Sequence, residues 1–178
     1  MTCAATMYQY HIWANRTLLG RLDELPQDVY TQEIRSIFPT VSKAMAHIYT
    51  TDCAWLSIMD GKSMNDAIAA SASIQADAEQ RNATELSSLF GSLSAQYASF
   101  FGREPDLEKK LLLDNPYAGI RETSLSEMVL QVVNHGTYHR GNVSAMLRQM
   151  GHASTMTEYA LFWYAGGSPA EEQGAPAV

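Results

Sequence analysis

Residues 124–151 carry the most informative pattern in the sequence, an apolar stripe that repeats every three or four residues. This spacing places side chains on one face of an α-helix, and a stripe this long predicts a helix packed in a bundle. Its inward positions are Leu125, Met128, Val132, His135, His139, Val143, Met146 and Met150. Ser124 followed by Glu127 has the capping-box spacing that begins a helix, and Gly151 is a residue that typically ends one.

Two histidines, His135 and His139, occupy this apolar stripe where hydrophobic side chains are expected. Residues four apart in a helix lie one turn apart on the same face, so both imidazoles can reach one cation. The alternative is that each is a hydrogen-bonded core histidine, which is the usual role of a lone inward histidine. The pair favours a metal clamp, because a shared ion satisfies both rings without water.

The same periodicity predicts three further long helices, at about residues 4–25, 40–60 and 84–101, and hence an all-α fold. The connection between helices two and three is rich in Ala, Ser and Asp. It is long enough to return the chain to the end it left, so these two helices could run parallel. Residues 107–123 mix β-favouring and apolar side chains around a turn, which favours a short two-stranded ribbon. We therefore expect a four-helix bundle with long crossover connections.

The length of 178 residues favours a single domain, which we assign to residues 1–165. Residues 156–164 are apolar and aromatic, which predicts a short helix that covers an end of the core or contacts a partner. Residues 166–178 consist largely of Gly, Pro, Ala and Glu, a composition typical of a disordered tail.

The charge balance and the cysteines exclude several classes of protein. A net charge of −7 and a pI near 5.1, with no run of Lys or Arg, argue against direct binding of nucleic acid. No signal peptide is recognisable, and no stretch has the roughly 18 consecutive apolar residues of a membrane helix. Cys3 and Cys53 fit reduced thiols better than a disulfide. We therefore expect a soluble cytoplasmic protein without a membrane partner.

A metal centre needs at least one donor beyond His135 and His139. The sequence offers His11, His47 and His152. His152 follows the glycine that ends the last helix, so we expect it at the solvated rim of the bundle. His11 and His47 both lie on or beside the inward face of a helix. Periodicity alone therefore does not choose between them.

Three segments taken together resemble the DinB/YfiT-like family of metalloenzymes. They are Tyr-His-Ile-Trp-Ala-Asn-Arg-Thr-Leu-Leu at 10–19, His-Ile-Tyr-Thr-Thr-Asp-Cys-Ala-Trp-Leu at 47–56 and Asn-His-Gly-Thr-Tyr-His-Arg-Gly-Asn-Val at 134–143. The likeness extends over nearly the whole chain, up to about residue 164. It implies a four-helix bundle in which helices two and three run parallel.

The resemblance also implies a ligand set. A divalent metal would be held by His47, His135 and His139, and His11 would be a neighbour of the site or part of the core. The chain departs from the family at Asn142, where glutamine is more usual. That position touches the surroundings of the ligands at most, so the three histidines remain intact.

Three neutral imidazoles leave the double positive charge of the ion uncompensated. They leave one position open on tetrahedral zinc and up to three on an octahedral ion such as nickel or iron(II). Such an ion can lower the pKa of bound water, polarise a carbonyl or activate a thiolate. Gly136, Thr137 and Tyr138 stand between the two histidines of the last helix, so the glutamate of the His-Glu-x-x-His proteases is absent.

The resemblance implies a metal-dependent enzyme of the thiol-dependent transferase or hydrolase type, acting on a small-molecule substrate. Nickel or zinc is the expected metal, with iron or manganese as alternatives, and a low-molecular-weight thiol is the expected co-substrate. A second hypothesis is a non-catalytic metal- or ligand-binding module of a stress response, since the family is associated with DNA damage. A third is a structural bundle with core histidines. The aromatic C-terminal segment and the apolar face of helix one also favour a homodimer, as the resemblance implies.

Other polar residues near the motif have more than one interpretation. Asp52, Glu127 and Tyr138 could each act as a general base. We interpret the two carboxylates as surface or capping groups, and Tyr138, which faces away from the apolar stripe, as a packing or interface residue. Arg140 could form a salt bridge or bind an anionic substrate. Gly136 and Gly141 each cost a helix about 1 kcal/mol relative to alanine, which indicates a close approach of another backbone.

Overall fold

The computed structural model describes residues 2–166, so residues 167–178, which make up most of the expected tail, lie outside the described part. In chain order the elements are α1 (Cys3–Asp23), α2 (Gln27–Thr31), α3 (Val41–Met59), α4 (Met64–Glu79), α5 (Ala83–Arg103), β1 (Lys110–Asn115), β2 (Gly119–Ser124), α6 (Leu125–Gln149) and α7 (Tyr159–Tyr164). The predicted all-α class with a small β-ribbon is confirmed.

The four longest helices, α1, α3, α5 and α6, form the expected bundle. Helix α6 packs between α1 and α3, and α1 packs against α5 on its other side. Ala4 shares one part of the core with Leu125, and Leu18 shares the other part with Val143. Helices α1 and α6 therefore run in the same direction.

Helices α3 and α5, the second and third of the sequence prediction, run parallel as expected. At their ends, Arg103 Nη2 lies 3.1 Å from Asp60 Oδ1. At the start of α5, the Thr84 hydroxyl donates a 2.6 Å hydrogen bond to Asp23, which ends α1. The first contact brings the C-terminal ends of α3 and α5 together, and the second places the start of α5 at the end of the bundle where α1 finishes.

The connection between these two parallel helices is itself a helix, α4, which the sequence reasoning did not identify. It packs against α3 in the opposite direction, and Lys43 near the start of α3 lies 3.8 Å from Glu79 at the end of α4. Only Met64, Ala67 and Ala78 of its residues are buried. So few inward positions give almost no apolar stripe, which explains why periodicity missed it.

The helix ends follow the predicted chemistry. The Ser124 hydroxyl accepts from the Glu127 amide, and the Glu127 carboxylate accepts from the Ser124 amide at 3.0 Å. The interpretation of Glu127 as a capping carboxylate is thus confirmed. Asn82 and Glu85 form the same reciprocal pair at the start of α5. Gly151, with φ of +83°, follows the end of α6.

The β-ribbon precedes α6, and the C-terminal helix packs against the side of the bundle. Strands β1 and β2 pair antiparallel from Lys110 opposite Ser124 to Asn115 opposite Gly119, so the ribbon leads directly into α6. The predicted C-terminal helix is present as α7, and its buried Phe162 packs with residues of α1 and α6. Within residues 2–166, no helix has the length and apolar character needed to span a membrane.

Candidate metal centre

His47, His135 and His139 meet between α3 and α6, the two helices that carry them. One ring nitrogen from each lies within 4.8 Å of the others. The Nε2 atoms of His47 and His135 are 3.0 Å apart. Two ligand atoms at about 2.1 Å from one ion are about 3.0 Å apart at a right angle and about 3.4 Å apart at a tetrahedral angle. The donor set therefore fits a single divalent ion.

Aromatic side chains surround the three imidazoles. The Phe38 ring centroid lies 5.2 Å from that of His47 and 5.3 Å from that of His139. Tyr138 packs edge-on against His139 at 4.9 Å, and 59% of its surface is exposed. Phe38 belongs to the irregular segment that joins α2 to α3. The cluster thus has apolar walls and lies near the protein surface.

Burial and mutual proximity keep these histidines neutral. Burial, followed by the neighbouring His139 and His47, lowers the pKa of His135 to about 3. Burial, followed by the neighbouring His47, lowers the pKa of His139 to about 4. Burial also lowers the pKa of His47, against the opposing effect of the Asp52 charge. All three rings are therefore neutral near pH 7, the form that binds metals.

The outer nitrogens of the ligand rings have different surroundings. His139 Nδ1 lies 3.3 Å from the side-chain amide of Asn142, so Asn142 contacts a ring of the cluster. Rotating that amide by half a turn places its oxygen to accept the Nδ1 proton, which leaves Nε2 free for an ion. His135 Nδ1 is buried and has no hydrogen-bond partner within the described chain.

His11 lies outside the three-histidine cluster and belongs to a separate buried group. Its Nε2 is 2.7 Å from Asp52 Oδ2, and its Nδ1 is 3.2 Å from Arg140 Nη1. All three residues are only 1% exposed. The interpretation of Asp52 as a surface or capping carboxylate was therefore wrong. Sequence reasoning missed this group because charged residues within helices are usually solvent-exposed.

The two glycines of α6 have different surroundings. A Cβ atom added at Gly136 would lie 2.7 Å from His11 Nδ1, and closer still to His11 Cε1. A Cβ atom added at Gly141 would meet nothing within 4 Å. The close approach predicted for both glycines is thus present at Gly136 alone, and the neighbour is a side chain and not a backbone.

Acidification should destabilise the metal-free protein through these histidines. The unfolded chain binds protons at His47, His135 and His139 near pH 6.5, whereas the folded chain binds them only at lower pH. The unfolded state therefore holds more protons below pH 6.5, and the free energy of unfolding falls as the pH drops toward 4. Urea unfolding at pH 7 and pH 4.5 measures this effect. The free energy of unfolding should fall less between these two pH values for His135→Ala than for the unaltered chain.

The matched control for this experiment is His152→Ala, which removes a histidine outside the cluster. It should retain the pH dependence of the unaltered protein. Equal pH dependence of the unaltered chain and His135→Ala would contradict the assignment of lowered pKa values to the cluster.

The four-helix bundle, with three neutral histidines that converge between two of its helices, places this protein in the class of candidate metal-binding helical bundles. Residues 1–173 match the DinB family, and the chain is 42% identical over 161 residues to Protein DinB of Bacillus subtilis (strain 168). That alignment covers 90% of this chain and 94% of the relative. The chain belongs to the DinB family, which confirms the resemblance seen in its three segments.

A solved structure supports the fold. The crystal structure of a DinB-like protein from Bacillus cereus matches this chain with a TM-score of 0.58. The two chains are 19% identical, and the match covers 84% of this chain and 94% of the other. At this identity the likeness establishes the shared bundle architecture.

Proposed function

We propose that this DinB family protein binds one divalent metal ion through His47, His135 and His139. The observation that carries the proposal is the convergence of three neutral imidazoles from two helices, with two Nε2 atoms 3.0 Å apart. Membership of the DinB family supports the same assignment. Imidazole nitrogen suits zinc, nickel and iron, whereas manganese prefers oxygen ligands. We propose nickel or zinc as the metal, with iron and manganese as alternatives.

We further propose that the protein is a metal-dependent enzyme. The bound ion would supply Lewis acidity at its open coordination positions. Because the cluster consists of histidines alone within residues 2–166, the ion would keep its full positive charge and attract an anionic ligand. Phe38 and Tyr138 would form the apolar wall against which a substrate packs.

The absence of a carboxylate from the described cluster favours a thiol over water as nucleophile. The nearby Asp52 is bonded to His11 and is 1% exposed, so it does not reach a substrate. A free thiol has a pKa near 8.5 and is deprotonated outright when it binds a metal ion, whereas the pKa of water falls from about 15.7 to about 7 only at a favourable zinc site. We therefore propose a thiol-dependent transferase acting on a small electrophile, with hydrolysis as the second activity of the same site.

Turnover by the metal-loaded protein tests this proposal. Nickel- or zinc-loaded protein should transfer glutathione, bacillithiol or mycothiol to an electrophilic dye, and His135→Ala should lose that activity. An ester substrate in the same assay measures hydrolysis. A protein that holds its metal but turns over no thiol or ester would instead be a non-catalytic binding module, for example one used under stress.

We also propose that the protein forms a homodimer in the cytoplasm. Large apolar side chains remain exposed near the C-terminal helix, including Trp163 at 62%, Tyr164 at 87% and Met156 at 48%. Leu130 and Met156 line one groove beside α6, and such exposed apolar surfaces often mark contacts between proteins. Sedimentation should give twice the chain mass of 19.7 kDa, and a Trp163→Ser variant should sediment as a monomer.

A further inference from the structure

A buried polar bridge lies beside the three-histidine cluster and joins three helices. We use this name for Asp52 of α3, His11 of α1 and Arg140 of α6. His11 Nε2 lies 2.7 Å from Asp52 Oδ2, and His11 Nδ1 lies 3.2 Å from Arg140 Nη1. Each of these residues is 1% exposed. One imidazole thus connects a carboxylate and a guanidinium inside the core.

The hydrogen bonds of the bridge assign the tautomer of its histidine. The nitrogens of a guanidinium are donors only, so His11 Nδ1 must accept from Arg140 Nη1. The ring proton then lies on Nε2 and is donated to Asp52 at 2.7 Å, and the side-chain nitrogen of Asn15 also lies 2.9 Å from Nε2. Arg140 also donates to Asn15 Oδ1 at 2.8 Å and to Thr137 Oγ1 at 2.9 Å. These bonds hold the guanidinium in one orientation.

The bridge is close in sequence to all three proposed metal ligands. Arg140 directly follows His139 on α6, and Asp52 lies five residues beyond His47 on α3. Any rotation or slide of α3 against α6 that separated His47 from His139 would also stretch the bridge. Charge-assisted hydrogen bonds are short and directional, whereas apolar contacts between helices tolerate small shifts.

We propose that the buried bridge is the positioning element of the three-histidine site. By joining α3 to α6 through His11, it holds His47 at the distance from His135 and His139 that a shared ion requires. A binding site needs its ligands held within about 0.5 Å by supporting hydrogen bonds and packing. The inference rests on the proposed metal site and assigns Asp52, which touches no ligand ring, a role in it.

Gly136 provides a means of displacing the bridge without altering any of its members. An alanine methyl at this position would lie 2.7 Å from His11 Nδ1, so the ring must move away from α6. That movement separates His11 from Arg140. Gly141 offers a matched control on the same helix, because a methyl there meets nothing within 4 Å.

Cobalt(II) titration of the full chain tests the inference, since the visible spectrum of bound cobalt reports ligand geometry. Gly136→Ala should bind cobalt about 10–100-fold more weakly than the unaltered chain, with altered absorption bands, as expected for loss of support around ligands. Asp52→Asn, which keeps the side-chain shape, should weaken binding in the same direction. Gly141→Ala should match the unaltered chain in affinity and spectrum.

A double variant separates the bridge from a local clash. His11→Ala combined with Gly136→Ala removes the ring that is closest to the new methyl. Beyond that ring, the next contact is Arg140 Nη1 at 2.9 Å, the end of a flexible side chain that can move into the space left by the ring, so the helices can pack again. The bridge remains absent, and cobalt affinity should stay low. Recovery of full affinity and spectrum in the double variant would overturn the inference, because the effect of Gly136→Ala would then be steric alone.

Other outcomes distinguish this inference from the metal site itself. Circular dichroism establishes that each variant is folded. If Gly136→Ala does not fold, Asp52→Asn remains as the variant that tests the role of the bridge. Unchanged affinity and spectrum in Asp52→Asn and Gly136→Ala, even with a lower melting temperature, would reduce the bridge to a stabilising contact. Failure of the unaltered chain to bind cobalt would contradict the metal site, and the inference would fall with it.

Discussion

Replacement of Arg140 by methionine should destabilise the metal-free protein by about 3–5 kcal/mol, the range known for removing one charge from a buried charged group; here His11 stands between the charges of Arg140 and Asp52. Arg140 is 1% exposed, and its guanidinium donates to His11, Asn15 and Thr137. Without it, the Asp52 carboxylate stays in the core and loses the positive charge to which His11 connects it. Asp52 Oδ1 already has no hydrogen-bond partner within the described chain. Urea unfolding at pH 7 measures the loss.

Arg81→Met is the matched control for this substitution. Arg81 pairs with Asp77 on the surface of α4, and both side chains are substantially exposed. Surface pairs contribute about 0–1 kcal/mol, so this variant should change stability little. Adding Asp52→Asn to Arg140→Met removes the orphaned charge and should recover part of the loss. A loss below about 1 kcal/mol for Arg140→Met would contradict the account of the bridge.

Divalent metal should raise the thermal stability of the unaltered chain substantially. At a free metal concentration 1,000 times the dissociation constant, binding to the folded state alone adds about 4 kcal/mol. For a domain of this size that corresponds to a rise of about 8–16 °C in the melting temperature. His135→Ala removes the ring whose Nε2 lies 3.0 Å from that of His47, and the rise should disappear.

Two comparisons make this experiment specific to the cluster. His152→Ala removes a histidine outside the cluster and should keep the full rise in melting temperature. His47→Ala, on the other helix, should lose it as His135→Ala does. An equal rise in the unaltered chain and in both cluster variants would show that the metal binds elsewhere on the protein.

Sequence patterns predicted helix α6 and its histidine pair because the signals are local. Ser124, Glu127 and Gly151 define the ends of the helix through their own backbone chemistry. The spacing of four residues places His135 and His139 on one face wherever the helix packs. No tertiary information is needed for either prediction.

The third histidine of the cluster depends on how the helices rotate against one another. His11 and His47 have equivalent positions in the hydrophobic pattern, and only the family resemblance favoured His47. In the fold, His47 faces α6 at the cluster, whereas His11 fits beside Gly136 and bonds to Asp52. Periodicity does not encode that rotation.

The buried bridge and helix α4 were missed for related reasons. A charged residue in a helix is normally exposed, and only the packing of three helices brings Asp52 to Arg140 through His11. Helix α4 buries few side chains, so it carries almost no apolar stripe. Both features become visible only when residues far apart in the sequence are placed together.

Metal content of the purified protein tests the central claim most directly. The chain should be prepared without a histidine tag or chelator and subjected to elemental analysis beside His47→Ala, His135→Ala and His139→Ala. We expect about one equivalent of nickel or zinc per unaltered chain, as one three-histidine site implies, and none in the variants. A metal-free unaltered protein, even after incubation with zinc and nickel, would contradict the three-histidine site.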